Sequence, residues 1–176
     1  MNRSFRNSQY YLGVLSLLFF VMIQIGCKVN YSFSGASIPA EAKTFSVFFF
    51  KNTSYLVEPT LSQNFTDALR SRLSNQTRLT QVELNGDLHF EGAITNYTPS
   101  QPAAIASETA SLNRLSITVS VKFVNTVEPH LSFEKSFTQF VDYDSGLDLG
   151  SVQSTLMDEV IVLLVDDIFN QSVANW

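Results

Sequence analysis

Between Leu115 and Phe123 the chain reads LSITVSVKF, and its alternation is unbroken. Leu115, Ile117, Val119, Val121 and Phe123 take one parity, Ser116, Thr118, Ser120 and Lys122 the other. Successive side chains of a strand point to opposite faces, so this pattern demands a half-buried strand with one apolar and one hydroxyl-rich face. A helix would spread the same apolar residues around its whole circumference. The rest of the fold must therefore cover one face of a sheet and leave the other wet.

The neighbouring segments supply that cover. Lys43 to Phe50, KTFSVFFF, is β-branched and aromatic, follows Pro39 and precedes Asn52, and so predicts a first strand. Leu61, Phe65, Ala68, Leu69 and Leu73 then recur at helical spacing behind Pro59 and Thr60, predicting a helix over 60–75. The turn pair Asn85-Gly86 opens a second strand with Leu88, Phe90 and Ile94 on one face. A long loop is expected from Tyr97 to Ser111, where two prolines and small residues collect. After Pro129 a fourth strand, LSFEKSFTQFVDY, keeps alternation through Phe137. Phe140 falls out of phase, and a bulge or a change of face is expected there. From Ser151 onward Val152, Leu156, Val160, Leu163 and Leu164 form one stripe. The run VIVLLV could be a buried strand, but some 24 residues without Gly or Pro favour a helix. The expected fold is α+β: a two-layer sandwich of a mostly antiparallel four-stranded sheet with two helices on one face, in the order β-α-β-β-β-α.

The N-terminus follows a different logic. Arg3 and Arg6 precede an uncharged run, LGVLSLLFFVMI, which ends near Gly26 and the sole cysteine, Cys27. A spanning helix needs about 20 apolar residues, whereas a basic start, a short apolar stretch and a small residue describe a secretory signal. Ile25, Gly26 and Cys27 resemble a bacterial lipobox; Gln24 departs from it, since a leucine-like residue is usual there. The expected organisation is a lipoprotein signal peptide at 1–26, a lipidated tether at 27–42 and one domain at 43–176. Cys27 would carry diacylglycerol and an N-acyl chain, enough acyl chains to hold the membrane unaided. A lone cysteine cannot form an intramolecular disulfide. Removing residues 1–26 takes away two of the 11 basic residues and none of the 16 acidic ones, so the formal charge moves from −5 to −7. That balance argues against nucleic acid and against a polybasic membrane patch. Lys28, Val29 and Asn30 bring no acidic run after the cysteine, and so no surface-export signal.

Catalytic chemistry is hard to assemble from these residues. His89 and His130, the only histidines, have no second ligand at metal spacing, and both are expected at the solvated surface. Asp158/Glu159 and Asp166/Asp167 flank an apolar stripe, as carboxylates on a wet helix face do. No GxSxG turn, phosphate-cradling loop or HExxH helix occurs. Neither an enzyme nor a cofactor is expected, and a hydrolase would need a clustered triad. Asn-x-Ser/Thr triplets at Asn30, Asn52, Asn64, Asn75 and Asn170 are the chance yield of an Asn-, Ser- and Thr-rich chain. Arg114 and Lys122 share the parity of the hydroxyl face, about 26 Å apart along the strand. They cannot grip one phosphate together; each is either a solvated cation or a separate contact to an extended anionic ligand.

The lipobox followed by YSFSG and IP, the helix LSQNFTDALRSRL, the segment GDLHFEGAITNY, the strand NRLSITVSVKF and the ending IFNQSVANW together resemble LptE, the lipopolysaccharide-assembly lipoprotein, in its Bacteroidetes-type form. The resemblance spans residues 23–176. It implies two helices on a mostly four-stranded sheet and a non-catalytic, periplasm-facing outer-membrane role. The partners it implies are an LptD-like β-barrel, which the lipoprotein plugs and helps to assemble, and lipopolysaccharide, for which Arg114 and Lys122 are the candidate contacts. The competing reading is a membrane-anchored periplasmic lipid carrier or chaperone whose apolar cavity is lined by Phe48, Phe49 and Phe50.

Overall fold

A computed structural model describes residues 38–100 and 112–174. The strands are β1 (Thr44–Val47), β2 (Lys51–Asn52), β3 (Thr80–Gln81), β4 (Leu88–Ser100), β5 (Leu112–Asn125) and β6 (Phe133–Asp144). The helices are α1 (Leu61–Gln76), between β2 and β3, and α2 (Leu149–Val173), after β6. A short 3-10 turn at Pro129–Leu131 leads into β6. The α+β class and both helices agree with the sequence reading, but among the described residues the sheet has six strands and not four. The two extra strands are pairs of polar residues, too short to carry any periodicity.

Strand order is β3-β1-β4-β5-β6, with β2 also pairing with β4. The two long ladders, β4 with β5 and β5 with β6, are antiparallel. The three short pairings are parallel, because α1 carries the chain back across one face between β1 and β3. Both helices pack on the apolar side of the sheet and on each other. Leu115, Ile117, Val119 and Val121 are fully buried, as their alternation demands, and meet Phe45, Phe90 and Phe123 from the sheet and Phe65, Leu69, Val160, Leu164 and Ile168 from the helices. At roughly 1.5–3 kcal/mol per large side chain buried, this layer is the main stabilising contribution.

Three expectations about strand phase need correction. The first strand stops at Val47 rather than Phe50: Val47 faces Phe90 and Lys51 faces Ala93, so one extra residue is accommodated between them. That detour turns Phe50 into the core against Phe65 and leaves its N–H without a ladder partner. The Thr66 hydroxyl, itself bonded to the Ser62 carbonyl, accepts it at 3.2 Å. Second, no bulge occurs at Phe140. β6 stays in register with β5 throughout, and Phe140 is an outward-facing aromatic opposite Ser116. The phase change lies in β4 instead, where the register slips between Ile94 and Asn96, so that Ile94 and Tyr97 both point inward. Third, Tyr97–Ser100 belong to β4 and not to a loop; residues 101–111 of the expected loop lie outside the described residues. Helix α2 starts two residues earlier than predicted. Its Leu163, placed on the core stripe by the sequence, is 41% exposed, while Ile161, Val165, Ile168 and Phe169 complete the buried face.

Candidate functional site

Among the described residues, no helix covers the outward face of β4, β5 and β6. Its middle is small and neutral: Ala93, Ser120 and Ser136 lie side by side, and the next row is Asn96, Thr118 and Thr138. The Thr118 and Thr138 hydroxyls bond at 2.9 Å. Charges stand only toward the two ends of the row. At one end Lys122 lies between Glu91 and Glu134 in register, and its Nζ donates to Glu91 Oε1 at 2.6 Å. At the other, Arg114 donates from Nε and Nη2 to the two oxygens of Asp142 at 2.6 and 2.9 Å, with its guanidinium 3.6 Å above the Phe140 ring.

These pairs fix ionisation at both ends. The Lys122 ammonium holds the Glu91 carboxyl below its ordinary range, and Arg114 does the same to Asp142. Reciprocally, the two cations are raised by their carboxylates. The structure therefore places Arg114 and Lys122 apart on one exposed face, each already neutralised by a cross-strand partner. Glu91 and Asp142 were not identified from the sequence. Their parity on β4 and β6 was readable, but the register that sets each opposite a cation was not.

His89 is not the solvated residue expected. Its Nδ1 lies 2.7 Å from the Ser46 hydroxyl, its Nε2 lies 3.8 Å from Glu91 Oε2, and its ring stands edge-on to Phe48. A Ser-His-acid row is thus present, yet it lacks the geometry of a nucleophilic triad. Ser46 is fully buried, its oxygen already accepts the Gly86 N–H, and the His-Glu contact exceeds hydrogen-bond length. The row braces β1 against β4. Beside it the Asp87 carboxylate accepts from the Lys43 and Thr44 backbone N–H groups and the Thr44 hydroxyl, and those bonds lower its pKa. His130 is exposed, as predicted. Asp158 and Glu159 are exposed on α2; Asp166 pairs with Arg72 at 2.9 Å, and Asp167 accepts from Gln139.

Among the described residues no cluster of three His, Cys, Asp or Glu side chains could hold a metal ion, and no helix is long and apolar enough to cross a membrane. Cys27 lies outside the described residues. The phenylalanines offered as a cavity lining divide: Phe50 is fully buried against Phe65, while Phe48 and Phe49 are exposed.

Comparison with known proteins adds a family. The sequence model of LptE, described as lipopolysaccharide-assembly, matches residues 42–172. No curated protein matches the sequence. Of solved structures, a hypothetical protein from Chlamydia trachomatis superposes with a TM-score of 0.54 at 8% identity, over 76% of this chain and 99% of that one. Rare lipoprotein B from Shewanella oneidensis gives 0.50 at 14% identity, over 73% and 92%. A protein from Xanthomonas campestris gives 0.50 at 10% identity, over 74% and 83%. At such identities the likeness is one of fold.

Proposed function

This chain belongs to the LptE family of lipopolysaccharide assembly, and on that premise we propose that it is a periplasm-facing outer-membrane lipoprotein that plugs an LptD-like β-barrel and assists the barrel's assembly. Its role in lipopolysaccharide assembly is non-catalytic. In this reading residues 1–26 are the signal peptide, acyl chains on Cys27 form the anchor, residues 27–42 are the tether and residues 43–176 the plug domain.

The family match over 42–172 is the observation that carries the reading. The uncovered sheet face supports it physically. The lumen of a transmembrane barrel is polar, and a plug must present to that wall a surface that needs no apolar cover. The rows of Ser, Thr and Asn on β4, β5 and β6, closed at each end by ion pairs, have that character. Arg114 and Lys122 enter the proposal as exchangeable cations: a lipid phosphate would have to displace Asp142 or Glu91, which makes them contacts of passage more than a high-affinity site. The carrier reading has less behind it, because Phe50 packs on Phe65 and Phe90 on Phe123, all four fully buried in the core. Gentle extraction of the tagged full-length protein tests the proposal. A barrel of outer-membrane type should co-purify in fixed stoichiometry; recovery of a barrel-free monomer that retains a lipid would remove the plug in favour of the carrier.

A further inference from the structure

β6 is the last strand of the sheet, and its outer edge runs for 12 residues without proline, glycine or a register shift. Among the described residues, no backbone hydrogen bond joins Phe133–Tyr143 to anything but β5. Every second N–H and C=O of such an edge is a vacant template for another strand, and proteins normally blunt it with charge, proline or a bulge. The first half of β6 has such a device: Lys135 stands on the helix side, bonded to Gln171 of α2. The second half, Thr138 to Tyr143, has one charge, Asp142, and that is taken up on the outward face by Arg114 of β5, so the helix side of this half carries none.

Alongside that half runs a groove of about 520 Å³ lined by Val141, Thr155, Asp158, Glu159, Val162 and Leu163. The five helical residues fall at spacings of three and four along α2 and form one stripe beside the edge. Val162 and Leu163 are 57% and 41% exposed, so an apolar shelf lies open beside the vacant backbone. Asp158 and Glu159 border the shelf, and no described cation lies within ion-pair distance of either.

From this combination we propose that the Thr138–Tyr143 edge of β6 docks an extended polypeptide segment of a partner, one whose every second side chain faces α2 and whose α2-facing positions carry both apolar and basic residues. The segment adds a seventh strand, lays the apolar ones of these residues on Val141, Val162 and Leu163, and sets Lys or Arg among them against Asp158 and Glu159. Strand addition draws affinity from main-chain bonds and specificity from alternate side chains. A second copy of this chain is the wrong occupant, since it would bring Asp158 and Glu159 against their own like charges. The site stands apart from the barrel reading and survives its failure.

The test uses the mature full chain in detergent and a blocked peptide in which every second residue is threonine and the residues between are valine and lysine in turn. Amides of residues 138–143 should exchange more slowly when peptide is bound. Val162→Asn should weaken binding about tenfold, the loss expected when an anchor contact is removed. The pair Asp158→Lys and Glu159→Lys should reject this peptide and accept the one with glutamate in place of each lysine. All three positions are exposed; should Val162→Asn unfold, the charge-reversed pair carries the test alone. Protection elsewhere, equal binding of the lysine and glutamate peptides by the parent, or dimers joined through β6 would each overturn the proposal.

Discussion

Gly92 gives the most exacting test of this packing. It sits in β4 opposite Val121 of β5. A Cβ built there would run into the Ser120 carbonyl oxygen and come within 2.8 Å of Cε1 of Phe50 and 3.0 Å of the Ser120 carbonyl carbon. The ring could swing only by leaving its edge-on contact with Phe65, and the carbonyl belongs to a ladder that cannot yield alone. Overpacking costs typically 1–3 kcal/mol, and an obstacle made of backbone belongs at the upper end. Replacing a strand glycine ordinarily returns about 0.5–1 kcal/mol of chain entropy. Gly92→Ala should therefore lose about 2 kcal/mol net, a large share of the stability of a domain this size. Urea unfolding of the mature chain measures it as a lower midpoint with unchanged slope. Gly146→Ala is the control: its Cβ meets only the Asp144 side chain, at 3.2 Å, and the midpoint should stay within about 0.5 kcal/mol of the parent. Phe50→Leu in the Gly92→Ala background relieves the ring but not the carbonyl, and should not restore the midpoint. Equal midpoints for Gly92→Ala and Gly146→Ala would refute the reasoning, and rescue by Phe50→Leu would shift the cause from backbone to ring.

Asp87 is a lowered carboxylate, so its stabilisation is complete above the unfolded-state value and is lost as pH falls through the folded one. Asp87→Asn should cost about 1–2 kcal/mol at pH 7, discounted for partial exposure, and the gap to the parent should close from about pH 4 downward; a gap constant with pH would contradict the charge-assisted account. The Tyr97 hydroxyl is buried without a hydrogen-bond partner although the Gln153 side chain is near, and burial pushes its pKa up. Tyr97→Phe should accordingly be neutral or stabilising by about 1 kcal/mol in the same titration. Arg114→Ala and Lys122→Ala remove only exposed pairs and should leave the midpoint unmoved, while photo-crosslinking of lipopolysaccharide to the chain falls; undiminished crosslinking would end their role as contacts. Cys27→Ala should abolish acyl labelling and signal-peptide removal, and a variant that is processed and fractionates like the parent would exclude the lipid anchor.

The helices and the apolar faces of the long strands were legible because periods of two and 3.6 are local properties. Leu61, Phe65, Leu69 and Leu73, and Leu115, Ile117, Val119, Val121 and Phe123, needed no tertiary information to be assigned to the core. The GDLHFEG segment that helped to identify the family also has a packing reason. Its two glycines stand where backbone meets backbone, Gly86 against Phe45 and Ser46, and Gly92 against Ser120. Phase errors arose where the period is locally violated. Phe140 looked like an inserted residue although it is an ordinary outward side chain over which Arg114 stacks. The true slip, at Thr95, lies among small and polar residues whose pattern gives no sign of it.

By itself the sequence determined a half-buried sheet with one hydroxyl-rich face, two amphipathic helices to cover the other, an acidic chain and a single cysteine in a lipobox-like setting. Each of these follows from side-chain type and spacing along a chain. The tertiary structure alone decided which charges neutralise each other, that Ser46, His89 and Glu91 form a brace and not a triad, and that among the described residues β6 is left as an open edge beside Val162 and Leu163. Those outcomes depend on strand order and register, which are set by how the whole core closes and not by any one segment.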